Sequence, residues 1–234
     1  MTIISFMATK GGSGKSLLTK LMATELALSG NVGIDLICAD HPQHSTHKWY
    51  ELAKDKPGFP EQLTVYKADS TEQIADLLNE LTEKAPVAIR MIDVGGHEGS
   101  HVRFAMLASD IILVPTRVNP AEMVEAVGIC LNLREQVPEA EKTLCILRND
   151  VGSLAGKLQT YQEAMSLLQG SKIPFLETQV MHRDPFVRFS YDQPSLEAMQ
   201  ESQKKSSDSI AKARQNIRDL LVEIVSLIQG RNTK

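Results

Sequence analysis

The chain has 234 residues, a formal net charge of −4 at pH 7, and 42% hydrophobic and 23% charged residues, ordinary values for one globular domain with a large core. A net negative charge of this size excludes attachment to nucleic acid by global electrostatics and leaves only a local basic patch for it. No apolar run approaches the roughly 18 residues that span a bilayer, no basic segment precedes an apolar stretch at the N-terminus, and Cys38, Cys130 and Cys145 are odd in number without metal-ligand spacing, as expected of buried reduced thiols in a cytoplasmic protein.

Along the chain, apolar runs bounded by turn residues alternate with helical patterns. This predicts a single α/β domain over 1–234, built on a doubly wound, mostly parallel sheet of about seven strands with helices on both faces. The predicted strands are Thr2 to Ala8, Ile34 to Ala39, Leu63 to Lys67, Val87 to Val94, Ile111 to Thr116, Thr143 to Leu147 and Phe175 to Val180. Helical spacing covers Leu17 to Ser29, Thr71 to Lys84, Ala121 to Gln136, Ser153 to Leu168 and Ser195 to Gln229. In an open sheet of this kind ligands sit beyond the carboxyl ends of the strands.

The first strand runs into Thr9-Lys10-Gly11-Gly12-Ser13-Gly14-Lys15-Ser16, followed directly by a helix. Strand, glycine loop and helix are the context a phosphate-binding loop needs. The glycines let the backbone from Lys10 and Gly11 through Gly12, Ser13 and Gly14 to Leu17 wrap closely around a phosphate chain, with the helix N-terminus adding positive potential. Lys15 is placed to reach the β/γ-phosphates and the Ser16 hydroxyl to bind Mg²⁺. Thr9 stands where the ordinary pattern has its first glycine, so the match is to the deviant form K-G-G-x-G-K-[ST]. In this the chain resembles the ParA/MinD family of partition and positioning ATPases, which are P-loop NTPases. The resemblance implies ATP and Mg²⁺ as cofactors and a homodimer formed on ATP binding, with Lys10 reaching the phosphates of the partner subunit.

The second strand leads into Ala39-Asp40-His41-Pro42-Gln43-His44-Ser45-Thr46-His47-Lys48-Trp49. Pro42, Gln43, Ser45 and Trp49 match the ParA-like pattern, whereas Ala39 and His41 fall where that pattern has two aspartates and Asp40 lies between them. Two readings stay open: Asp40 orients the attacking water, or the site lacks that carboxylate and hydrolyses slowly. His41, His44 and His47 recur every third residue and His97 and His101 are four apart, but no cysteine or carboxylate accompanies them at a zinc-like spacing. They read as polar loop donors rather than a metal centre.

The fourth strand ends Met91-Ile92-Asp93-Val94-Gly95-Gly96, an apolar run closed by an acidic residue and two glycines. In company with the glycine loop this is a Walker B arrangement, with Asp93 holding Mg²⁺ through a water and the glycines leaving room for a loop that senses the γ-phosphate. Further matches to the family are the segment Ala108 to Arg117, Leu147-Arg148-Asn149-Asp150 at the end of the sixth strand, and Phe175 to Asp184. From the last two, the resemblance implies Asn149 and Arg183 as residues near the nucleotide base.

The C-terminal helical region places Ile210, Ile217, Leu220, Leu221, Ile224 and Leu227 on one stripe, with Lys204, Lys205, Lys212, Arg214 and Arg218 on the outer face. ParA-like dimers use such basic residues to hold DNA without sequence preference; the alternative is a solvated face partly balanced by Glu201, Asp208 and Asp219. The apolar stripe reads as packing against the sheet, so no membrane partner is expected. With these features the resemblance implies an ATP-dependent dimerising ATPase that positions or segregates DNA or a cargo complex, with Lys10, Lys15 and Asp40 as catalytic residues. The resemblance further implies a small stimulating partner of the ParB-like or ParG-like kind and association with the nucleoid. A second class remains open, a nucleotide-licensed recruitment protein with little hydrolysis. The Pro42-Gln43 segment argues against a ligase of the dethiobiotin synthetase type and the cysteine placement against an iron-sulfur ATPase.

Overall fold

Successive side chains of a strand point to opposite faces, and here both sets are apolar. Ile4 and Phe6 join one buried cluster while Ile3 joins another, and Leu36 and Cys38 alternate with Ile37 and Ala39 in the same way. A sheet with two apolar faces has to be covered twice, which is the situation of parallel α/β sheets.

The computed structural model describes residues 2–8, 12–30, 32–84, 89–95, 99–136, 144–203 and 207–232. Among them six strands pair in parallel: β1 (Thr2–Phe6), β2 (Ile34–Ala39), β3 (Leu63–Lys67), β4 (Ile89–Val94), β5 (Ile111–Arg117) and β6 (Leu144–Asn149), in the order β3-β2-β4-β1-β5-β6. Helices α1 (Lys15–Ser29), α2 (Ser45–Ala53), α7 (Asp184–Phe189), α8 (Leu196–Ser202) and α9 (Ser207–Asn232) cover one face, where Leu18, Trp49, Phe186, Leu196 and Ile217 pack with Phe6 and Leu36. Helices α3 (Thr71–Lys84), α4 (Ser100–Ala108), α5 (Pro120–Gln136) and α6 (Gln159–Ser171) cover the other through Ile74, Ala105, Met123 and Leu168. The doubly wound parallel α/β class is therefore as expected.

The strand count differs by one. Phe175 to Val180, expected as a seventh strand, runs beside β6 but is paired only at its ends, by isolated bridges Ile146↔Phe175 and Val151↔Met181. Side chains intercept the backbone between them. Arg148 Nη2 donates to the carbonyls of Leu176 (3.0 Å) and Glu177 (2.5 Å), and Glu223 of α9 accepts from the amides of Glu177 (2.7 Å) and Thr178 (2.8 Å). Polar groups satisfied in this way have no need of a ladder.

Two helical expectations are also corrected. Ser153 to Leu168 divides into a short 3₁₀ turn, Ala155–Lys157, and α6, separated by an extended Leu158 (φ −87°, ψ 136°); Gly152 and Gly156 weaken helix at that point. Ser195 to Gln229 is two helices, α8 ending at Gln203 with φ −122° and ψ 69°, and α9 starting at Ser207. The stripe Ile210, Ile217, Leu220, Leu221 and Ile224 is buried against α1 and the sheet. Among the described residues no helix is long and apolar enough to cross a membrane.

Candidate functional site

β1 lies at the centre of the sheet between β4 and β5, so the loop that follows it emerges where the strand order reverses and a crevice forms. Thr9, Lys10 and Gly11, with Gly96 and His97 further on, lie outside the described residues. In the rest of the loop Gly12 and Gly14 have φ of 96° and 82°, backbone that side-chain-bearing residues rarely adopt. Gly14 stands at the N-cap of α1 with no side-chain cap hydrogen bond, which leaves the first amides of the helix available to an external acceptor. Asn149, at the end of β6, braces the turn by donating from Nδ2 to the carbonyl of Ser13 at 2.7 Å. A Cβ on Gly14 would stand 2.3 Å from that Nδ2, so this glycine is required by proximity as well as by φ.

Lys15, in the first turn of α1, is buried, and its ammonium lies 2.7 Å from Asp93 Oδ1. Asp93 is fully buried in β4, aligned with Phe6 of β1 and Cys38 of β2. Its second oxygen accepts from Thr46 Oγ1 of α2 at 2.5 Å, so both carboxylate oxygens are satisfied, which burial of a charge demands. Thr46 carries no motif signal in the sequence; a hydroxyl one residue after a matched serine is all that points to it. One turn beyond Lys15, Lys20 is also buried. It donates to the carbonyl of Ser190 at 2.8 Å and lies 5.7 Å from the Trp49 ring centroid. Burial lowers its pKa from 10.5 to about 8, against the opposing pull of Asp93 and Cys38.

Asp40 follows the last residue of β2, and a Cβ on Gly95, just past β4, would be 3.4 Å from Asp40 Oδ1. Ser45 Oγ donates to Asp40 Oδ2 at 3.4 Å. Ala39 is buried in the sheet, and His41 turns away from Asp40 to Asp69 at 3.1 Å. Arg183 precedes α7 in extended conformation, and the Val151↔Met181 bridge sets its segment just beyond β6 and Asn149. A cavity of about 180 Å³ opens beside Gly12 and Ser13, walled by Thr116, Arg117 and Glu122.

These residues fit a nucleoside triphosphate with a divalent cation. Open helix amides and a primary ammonium suit phosphate, and the Ser16 hydroxyl in the same turn as Lys15, with the buried Asp93 behind it, is an oxygen donor set of the kind Mg²⁺ takes.

The basic C-terminal face differs from expectation. Arg214 is buried rather than outward, donating from Nε to Glu25 of α1 at 2.9 Å and from Nη2 to Glu197 of α8 at 2.6 Å, and Arg218 Nε donates to the other oxygen of Glu25 at 3.0 Å. Glu25 is fully buried, so it draws Arg214 inward, while Arg218 reaches it from a side chain that stays partly exposed. Lys212 stays exposed and pairs with Asp208 at 2.8 Å, while Lys204 and Lys205 lie outside the described residues.

Comparison with known proteins agrees with this geometry. The family model described as VirC1 protein matches residues 1–229. Among solved structures, a chain of the MinC:MinD cell division protein complex of Aquifex aeolicus superposes with a TM-score of 0.69 at 15% identity, covering 95% of this chain and 97% of that one. A putative plasmid partition protein of Borrelia burgdorferi B31 bound to AMPPNP gives 0.67 at 17% identity, over 94% and 98% of the two chains. The septum site-determining protein MinD of Pyrococcus horikoshii OT3, complexed with Mg-ADP, gives 0.65 at 14% identity, over 94% and 97%. No curated protein matches the chain.

Proposed function

The chain belongs to the VirC1 protein family and has the ParA/MinD P-loop fold, and from that membership we propose that it is an ATPase whose ATP-bound state is a homodimer that positions or segregates DNA or a cargo complex. The observation that carries this most directly is the ion pair between Lys15 and the fully buried Asp93 under an uncapped helix N-terminus. On nucleotide binding Lys15 exchanges Asp93 for the phosphates, which frees Asp93 Oδ1. Ser16 and Asp93 would hold Mg²⁺, which would supply the charge neutralisation that phosphoryl transfer depends on. Asp40, beside Gly95 at the mouth of the crevice, orients the attacking water. Lys10 supplies the cross-subunit ammonium, so that assembly and nucleotide state are coupled.

For DNA, Lys212 and the exposed part of Arg218 join Lys204 and Lys205 as phosphate contacts, and pairing two subunits brings two weak patches onto one body, which multiplies their avidity. A ParB-like or ParG-like partner accelerates turnover.

Size analysis in ATP, ADP and no nucleotide, with phosphate release followed in the same samples with and without plasmid DNA, tests the proposal. Dimers in ATP that are lost in Lys10→Ala, and phosphate release that is lost in Asp40→Ala, are expected. Dimers without any phosphate release would instead identify a nucleotide-licensed recruitment protein, and a monomer in every nucleotide would remove the proposal.

A further inference from the structure

The turn that follows Asp40 brings two imidazoles against one carboxylate. His41 Nδ1 lies 3.1 Å and His44 Nε2 2.7 Å from the same Oδ1 of Asp69, and the three candidate ligand atoms all fall within 4.8 Å of one another. No carboxylate stands at a zinc-like spacing in the sequence; the fold supplies one from the segment after β3, 25 residues beyond His44.

Two further observations distinguish this group from a chance cluster of surface polar residues. His44 is 6% exposed, and its Nε2 has no hydrogen-bond partner among the described residues although it lies so close to Asp69 Oδ1. The pair is near without being aligned as donor and acceptor. The other ring nitrogen, Nδ1, faces the sulfur of buried Cys38 at 4.0 Å. With a proton on Nδ1, Nε2 carries a lone pair that points beside Asp69 Oδ1 rather than at it, as do two donor atoms that converge on one cation. An outer layer is also present, since Lys67 Nζ lies 3.2 Å from the remaining oxygen of Asp69 and Gln73 Oε1 accepts from the Asp69 amide at 2.7 Å. Such partners orient metal-binding side chains.

We propose that His41, His44 and Asp69 form a binding site for a zinc-class transition-metal ion. Two imidazoles with one carboxylate suit Zn²⁺ or Co²⁺, whereas Mg²⁺ takes oxygen ligands in octahedral array. Bonds of about 2.0–2.2 Å in a tetrahedron put ligand atoms about 3.3–3.5 Å apart, so the two short separations to Asp69 Oδ1 open by well under 1 Å on loading. Three protein ligands leave a fourth position for water. The ion joins the turn at 41–44 to the end of β3. Its three ligands share no residue with those assigned to phosphate and Mg²⁺, and its occupancy is measured without nucleotide.

The test is titration of chelator-stripped full-length protein with Zn²⁺ alone, without nucleotide, by calorimetry, with Co²⁺ substitution as a spectroscopic readout. One equivalent per chain, four-coordinate Co²⁺ absorption, and at least a tenfold loss of affinity in both His41→Gln and Asp69→Asn are expected, with millimolar Mg²⁺ failing to displace the ion. His41 and Asp69 side chains are 58% and 40% exposed, so these variants keep the fold, which circular dichroism verifies; His44→Gln then serves as the buried third case. Absence of stoichiometric binding, or binding unchanged in His41→Gln and Asp69→Asn, overturns the proposal.

Discussion

The ammonium of Lys15 rests 2.7 Å from the buried carboxylate of Asp93, so the cation proposed to bind phosphate and the carboxylate proposed to stand behind Mg²⁺ are each other's counterion. Replacing Lys15 by Gln therefore has two effects. Nucleotide affinity falls at least about tenfold, and the fold loses about 3–5 kcal/mol because Asp93 is left buried without its cation. Asp93→Asn separates the two: nucleotide still binds, and Mg²⁺ no longer raises the affinity. Titration of a fluorescent ATP analogue with and without Mg²⁺ reads both variants, and a Mg²⁺ effect of unchanged size in Asp93→Asn would disprove the assignment.

Thr46 Oγ1 is the only donor described to Asp93 Oδ2, at 2.5 Å. Thr46→Val preserves shape and deletes that donor, with an expected cost of about 1–3 kcal/mol in urea unfolding. Thr46→Ser, which retains the hydroxyl, should recover most of it. A loss in Thr46→Ser with none in Thr46→Val would mean that the methyl group, not the hydroxyl, matters.

Lys20 gives a pH dependence. Its pKa is about 8 in the fold against 10.5 for the ordinary side chain, so between these values the unfolded chain binds more protons and stability rises with pH. The cost of burying the ammonium is fully present below about pH 8 and disappears as pH climbs through about 10.5, a span of about 3 kcal/mol. Lys20→Met removes that cost and also the hydrogen bond to Ser190, for a net gain of about 2 kcal/mol at pH 7. Thermal melts of both proteins from pH 7 to 10.5 should show the gap closing, and a constant gap would show that Lys20 titrates normally.

Glu25 is fully buried and holds Arg214 and Arg218 at 2.9 and 3.0 Å. Glu25→Ala leaves Arg214 without its main counterion and is expected to cost about 3–5 kcal/mol in denaturant unfolding, loosening α9 from α1 first. Hydrogen exchange of α9 amides measures that order. A loss below about 1 kcal/mol would place Glu25 among solvated pairs instead.

The parts of the molecule legible in the sequence are those with a strong period or a covalent-scale constraint. Ile3, Ile4 and Phe6, or Ile111 to Val114, leave no choice but a strand buried on both faces, and the glycines at 12 and 14 announce a turn at positive φ. Helix α2 escaped because its buried residues Thr46, Trp49 and Ala53 are separated by His47, Lys48 and Glu51, so its apolar stripe is thin. Helix α7 is only Asp184–Phe189, too short for a period to register. Arg214 looked like an outward cation because its charge partner, Glu25, is 189 residues away. The same distance effect hid Asp69 from His41 and His44, since a ligand set assembled by tertiary folding leaves no local spacing to read.

Arg148 and Glu223 occupy the backbone groups of residues 176–178 that would otherwise extend the sheet beyond β6. A strand with its hydrogen-bonding groups free invites any unfolded neighbour to add to it, and parallel sheets expose such margins while they fold. With four of those groups already held by a guanidinium and a carboxylate, residues 176–178 offer an added strand little to pair with.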